Sequence, residues 1–147
     1  KGFDMRVIYT DVQRADEATE REHGVMYVDK RTLLRESDFV SLHIPPDPAG
    51  PVIGAREIAL MKDGAFLINC ARGGVVDEKA LLAALNSGKL GGAGLDVFEE
   101  EPPKNMELLR HPKVTLTPHI GAQTHEAQAR IGDEIVEILL SWAQRLS

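Results

Sequence analysis

The feature that most constrains this chain is a regular alternation of short aliphatic runs with longer charged or amphipathic stretches. Runs at 6–10 (RVIYT), 25–28 (VMYV), 39–44 (FVSLHI), 65–69 (AFLIN), 93–98 (AGLDVF) and 114–116 (VTL) are predicted strands, rich in residues that suit a buried pleated surface. Between them, 16–23 is a charged helix stopped by Gly24, and 30–36 and 55–61 are further helices. Residues 78–87 form an amphipathic helix closed by Gly88. Residues 124–146 make a long final helix with Ile131, Ile135, Ile138, Leu139 and Trp142 on one face, Trp142 being read as a packing residue. Residues 1–5 read as the end of a helix arriving from upstream, and the Pro/Gly-rich stretch 45–54 as a loop. Strands separated by helices need crossover connections, so the expected fold class is α/β, a doubly wound parallel sheet with helices on both faces. Neither an internal repeat nor a flexible linker divides the 147 residues, and one core is expected.

Charge and composition narrow the function classes. A net charge of −6 without a concentrated basic face argues against a nucleic-acid partner. No apolar run reaches the length of a membrane span, so no membrane partner is expected. Cys70 is the single cysteine and has no Cys or His neighbours at ligand spacing. That favours an intracellular, cytoplasmic setting and no metal site.

Four strand ends carry candidate chemistry. Asp11 follows the first run, where a dinucleotide fold places the acid that accepts from the adenine ribose hydroxyls, although an acid there can equally start a turn. Arg72, followed by Gly73 and Gly74, leaves the 65–69 run and can grip a carboxylate through two nitrogens, unless it is a surface arginine in a flexible turn. Glu99, Glu100 and Glu101 lie just past the 93–98 run, a pattern that usually marks a solvated loop. His119 follows the last run. A lone histidine is more often structural than catalytic, but here an arginine, an acid and a histidine converge on the same edge of one sheet. Hydride transfer to a 2-oxo acid needs that set: a cation for the carboxylate, a proton donor for the carbonyl oxygen and an acid to orient the imidazole.

The segments SDFVSLHIP (37–45), MKDGAFLINCARGG (61–74), GLDVF (94–98) with Glu101-Pro102, and LTPHIG (116–121) together resemble the D-isomer-specific 2-hydroxyacid dehydrogenase family. Their order and spacing agree over nearly the whole chain. The resemblance implies a Rossmann-like domain that uses NAD as cofactor and a small 2-oxo or 2-hydroxy acid as substrate. It assigns substrate binding to Arg72, the histidine-paired acid to Glu101 and general acid/base work to His119. Glu100 is the weaker candidate because the family acid stands directly before proline. Asp96 would hydrogen-bond the nicotinamide carboxamide and Asp11 the ribose. His43, Ile44, Pro45, Cys70, Ala71 and Gly121, with Arg72 and His119, would line the cofactor. The intact parent is expected to be a homodimer. Residues 47–52 (DPAGPV) depart from the threonine-containing loop usual in the family.

The family's first strand, glycine-rich phosphate loop and substrate domain have no counterpart in these residues. The domain is therefore expected to be incomplete at its N-terminus and part of a longer polypeptide. The missing strand would lie between the 6–10 and 39–44 strands, and the chain alone would be unstable and hold NAD weakly. Two further readings stand beside the enzyme: an NAD-sensing, corepressor-like partner-binding protein, and an inactive truncated fragment.

Overall fold

The computed structural model describes residues 2–145. In chain order the elements are β1 (Val7–Tyr9), α1 (Glu17–His23), β2 (Val25–Tyr27), α2 (Lys30–Glu36), β3 (Phe39–Leu42), α3 (Ala55–Leu60), β4 (Ala65–Asn69), α4 (Glu78–Asn86), β5 (Leu90–Leu95), α5 (Met106–Leu109), β6 (Val114–Leu116) and α6 (His125–Gln144). Every strand pairing is parallel. The strands form a four-stranded sheet in the order β3-β4-β5-β6 and a separate pair, β1-β2. The parallel α/β class is as expected. The sheet divides where a strand was expected to be missing: β1 and β3 are not hydrogen-bonded to each other, so each pairs along one edge only.

Local chemistry explains the helix limits. Asp16, Asp29 and Asp77 each stand just before a helix and accept from its first free amides: Ala18 and Thr19 for α1, Thr32 for α2, Lys79 and Ala80 for α4. Gly24 ends α1 in the left-handed conformation (φ 66°), which glycine adopts without steric cost. The core lies on one face of the four-stranded sheet. Val40 and Leu42 of β3, Ala65 and Leu67 of β4, and Leu90, Ala93 and Leu95 of β5 pack with Ile58, Leu81, Leu85 and Leu108 from the helices. Alternate residues point to the other face, where the Phe39 and Phe66 rings stack 5.1 Å apart and stay partly exposed.

Three expectations need correction, and one short helix went unread. β5 begins three residues before the predicted run and ends before Asp96, because Gly91 and Gly92 take part in the strand. A Cβ on Gly91 would lie 2.3 Å from the Gly64 carbonyl oxygen, and one on Gly92 2.8 Å from the Phe66 ring, so only glycine lets β5 pass this close to its neighbours. The four-residue α5 is too short to leave a periodic signal. Gly2 and Phe3 form a turn rather than a helix end. Trp142 is not a packing residue in this chain: it is 58% exposed, and the apolar face of α6 from Ile131 to Leu139 is exposed with it. The residues do share one helix face, but none of the described residues buries it. α6 is described to Gln144, and Leu146, the predicted end, lies outside the described residues.

The helix caps carry a pH signature. Hydrogen bonds from the Thr19 backbone and hydroxyl hold the Asp16 carboxyl below the usual carboxylate range, and the Thr32 hydroxyl and backbone do the same for Asp29. A depressed folded-state value stabilises above the unfolded pKa, and that contribution disappears as pH falls through the folded value. Asp29→Ala should destabilise the fold at neutral pH. Urea unfolding at stepped pH should show this deficit shrinking on the acid side, and a constant deficit would contradict the capping role.

Candidate active site

The carboxyl ends of β4, β5 and β6 are joined laterally, and this joining builds the site. At the end of β4, buried Asn69 donates from Nδ2 to the Arg72 carbonyl (3.0 Å) and accepts at Oδ1 from the Ala71 amide (3.1 Å), which folds Cys70, Ala71 and Arg72 into a fixed bend. Arg72 emerges exposed, with Nη1 donating to the Ala71 carbonyl (2.7 Å). The ladder continues past the strands: the Asp96 amide donates to the Asn69 carbonyl (3.0 Å) and the Thr117 amide to the Leu95 carbonyl (3.0 Å).

Asp96 is 3% exposed, and its carboxylate organises the next loop. Oδ1 accepts from the Thr117 hydroxyl (2.5 Å) and the Ile120 amide (2.8 Å), and Oδ2 from the Gly121 amide (2.8 Å). Burial pushes this carboxyl up, but the three donors together, with His119 nearby, outweigh it and leave it below its ordinary value. The donors bracket His119, whose φ of 54° is unusual for a residue with a Cβ. His119 is thus presented on a loop pinned on both sides to the β5 end.

The pair expected from sequence is formed. His119 Nδ1 lies 2.7 Å from Glu101 Oε2, and Glu101 Oε1 accepts from the Phe98 amide (3.2 Å). The hydrogen bond to His119, followed by that from Phe98, holds the Glu101 carboxyl below the usual range. With Nδ1 engaged, Nε2 is the ring nitrogen left for proton transfer. Glu100 instead pairs with Lys104 on the surface (2.6 Å).

The other candidates follow the ends of β1, β3, β4 and β6. Asp11, exposed beyond β1, borders a depression with Tyr9, Gln13, Arg14, Ala15 and Asp16. Arg14 would be a phosphate ligand if free, but Glu20 holds it through two bonds of 2.8 Å while also accepting from the Tyr9 hydroxyl (2.8 Å). Arg14, then Tyr9, brings the Glu20 carboxyl down to about 2. Past β3, His43 Nε2 meets the Ser41 hydroxyl (2.9 Å), Ile44 packs on the core and Pro45 is exposed. Cys70 is free and exposed. Among the described residues no His, Cys, Asp and Glu gather into a metal cluster, and no helix is long and apolar enough to cross a membrane. Sequence reasoning missed Asn69, Thr117 and Glu20. Asn69, a polar residue closing an otherwise apolar strand, was the one with a visible signal.

The description "D-isomer specific 2-hydroxyacid dehydrogenase, NAD binding domain" matches residues 1–121. The chain belongs to this family. It is 50% identical over 145 residues to a glyoxylate reductase of Thermococcus litoralis, covering 98% of this chain and 44% of that protein. It is 48% identical over 139 residues to a hydroxypyruvate reductase of Thermotoga maritima, covering 92% of this chain and 44% of that protein. Among solved structures, a glyoxylate reductase from Paecilomyes thermophila superposes with a TM-score of 0.89 at 40% identity, covering 95% of this chain and 42% of that one. A D-lactate dehydrogenase from Aquifex aeolicus, complexed with NAD and lactic acid, gives 0.85 at 37% identity, covering 97% and 47%. The chain therefore spans less than half the length of these relatives.

Asp96→Asn would replace one accepting oxygen by an NH2 donor, which at the Oδ2 position faces the Gly121 amide and leaves that bond unmade, at about 2 kcal/mol. Chemical denaturation should show this loss at neutral pH. A variant as stable as wild type would mean that the Asp96 bonds do not hold the His119 loop.

Proposed function

We propose that this chain supplies most of the dinucleotide-binding domain, including the catalytic edge, of an NAD-dependent oxidoreductase that interconverts small 2-oxo acids and D-2-hydroxy acids. The single observation that carries the reading is the 2.7 Å pair of His119 and Glu101, which lies on the same sheet edge as Arg72. Arg72 is exposed, so its guanidinium is accessible to a substrate carboxylate and can meet it through two nitrogens. In the reducing direction His119 gives a proton from Nε2 to the carbonyl oxygen as C2 takes up hydride, and Glu101 stabilises the charged ring beforehand and keeps its orientation. In the oxidising direction His119 takes that proton back.

The residues present fit NAD. Asp11 stands at an open strand end where ribose hydroxyls could donate to it, and Asp96 Oδ2, which accepts from the Gly121 amide, has capacity for a carboxamide N–H as well. His43, Ile44, Pro45, Cys70, Ala71 and Gly121 line the path between them in this reading. Nicotinamide, when bound, supplies or accepts the hydride. The neutralisation of Arg14 by Glu20, beside the carboxylate of Asp11, disfavours the extra phosphate of NADP. The relatives' greater length supports a parent in which further segments complete the sheet and the substrate site. A cytoplasmic homodimer belongs to the same reading and rests on the family resemblance. The partner-binding alternative is not favoured, because the relatives named above are reductases and a dehydrogenase.

In the enzyme that carries this domain, glyoxylate and hydroxypyruvate should be reduced with NADH. Arg72→Ala should lower kcat/KM at least about a hundredfold, the scale of losing one partner of a desolvated charge pair. Near-normal turnover would remove Arg72 from the mechanism. Compared at equal substrate, NADH should give a higher kcat/KM than NADPH, and a preference for NADPH would overturn the role of Asp11.

A further inference from the structure

The loop that carries Glu101 is fastened to the start of α4 by a reciprocal pair of bonds. The Glu78 amide, one of the donors left free at a helix start, gives its hydrogen to Glu99 Oε1 (2.9 Å), and the Glu99 amide gives its own to Glu78 Oε1 (2.8 Å). Two carboxylates are brought close together to do this. Burial raises the Glu78 carboxyl, and the charges of Glu99 and Glu100 add to the rise against the lowering effect of the Glu99 amide. A freely solvated run of three glutamates would not keep that arrangement. The same loop is pressed onto the arginine turn. A Cβ built on Gly73 would fall 1.8 Å from the Phe98 carbonyl oxygen and 2.7 Å from its carbon, backbone atoms that cannot step aside. Gly73 has no positive φ, so close approach, not conformation, requires the glycine there. Phe98 is itself buried in the core, and its amide donates to Glu101 Oε1 (3.2 Å). Contacts therefore run without a gap from Arg72 through Gly73 and Phe98 to Glu101 and His119.

We propose that Gly73, Glu78 and Glu99 are positioning residues, a clasp that locks the Arg72 turn, the start of α4 and the Glu101 loop into one unit and so fixes Glu101 against His119. The proposal rests on reading Glu101 and His119 as the acid/base pair. None of the three touches substrate in this scheme. Their effect passes through the Phe98 amide and the course of the 98–101 backbone.

The test compares Glu78→Ala/Glu99→Ala with Glu78→Gln/Glu99→Gln in the enzyme that carries this domain. Both pairs remove two charges, but the glutamines keep the accepting oxygens. For the alanine pair, kcat for glyoxylate reduction should fall about tenfold with the glyoxylate KM within about twofold, as expected when a catalytic group is displaced and substrate binding is kept. The Glu101 carboxyl, followed by carbon-13 NMR and assigned with Glu101→Gln, should titrate nearer the ordinary glutamate range. The glutamine pair should stay near wild type in both readouts. Gly73→Ala, which pushes on both loops, should lower kcat and raise KM together. Wild-type kcat and Glu101 titration in the alanine pair, or equal damage in the two pairs, would overturn the clasp. Should the alanine pair fail to fold, Glu99→Ala alone, which keeps the bond to Glu78 Oε1, gives the same two readouts. A wild-type enzyme that reduces no 2-oxo acid would sink the functional reading, and the Glu101 titration would still decide the clasp.

Discussion

The site depends on one buried carboxylate. Asp96 leaves the end of β5 with both oxygens committed to the Thr117–Gly121 segment, and that commitment turns a strand end into a platform for His119. An isolated buried charge would be costly, and three donors offset that cost. They also define a geometry, because a hydroxyl and two successive amides can reach one carboxylate only if the loop folds back over it. The left-handed backbone of His119 follows from this closure. The His119–Glu101 contact then needs only the Glu101 loop to be held at the right height, which the Phe98 amide and the neighbouring backbone of Gly73 accomplish.

The strand ends of the two sheets differ in how they handle charge. At the β1 end an arginine is paired off by Glu20 and stacked near the Tyr27 ring, while Asp11 stays exposed. At the β4 to β6 end the arginine is left exposed and the acids are the groups that are tied down. In the proposed reading this suits a neutral or hydroxyl-bearing group at the first end and a carboxylate at the second. Where the sheet divides, β1 and β3 each keep an edge without a strand partner among the described residues, and the apolar face of α6 stands in solvent. These are the surfaces against which the rest of a longer enzyme would pack in the proposed reading.

Much of this was legible in the residues. Strands β4 and β6 and helix α2 fall where the hydrophobic runs place them, because apolar content, stop signals and capping aspartates agree there. Arg72, Glu101 and His119 could be picked out because each follows a strand end, and in a parallel sheet those ends converge. β5 was misplaced because glycine normally weakens a strand, and only the close passage of Gly64 and the Phe66 ring shows why two glycines are required. The work of Asn69 and Thr117 was not legible, since it consists of hydrogen bonds across residues adjacent in space and distant in sequence. The grip of Glu20 on Arg14 was hidden for a related reason: it depends on which way a helix face turns. The packing role expected of Trp142 failed because periodicity reports that a face is meant to be covered without reporting by what.

The central claim is that His119, positioned by Asp96 and Glu101, exchanges the proton with the substrate oxygen. The most direct measurement is NADH oxidation with glyoxylate by the enzyme that carries this domain, comparing wild type with His119→Ala at saturating substrate. Turnover by wild type and a fall in kcat of about a thousandfold in the variant are expected for the loss of a general acid. Equal rates for the two proteins would contradict the assignment.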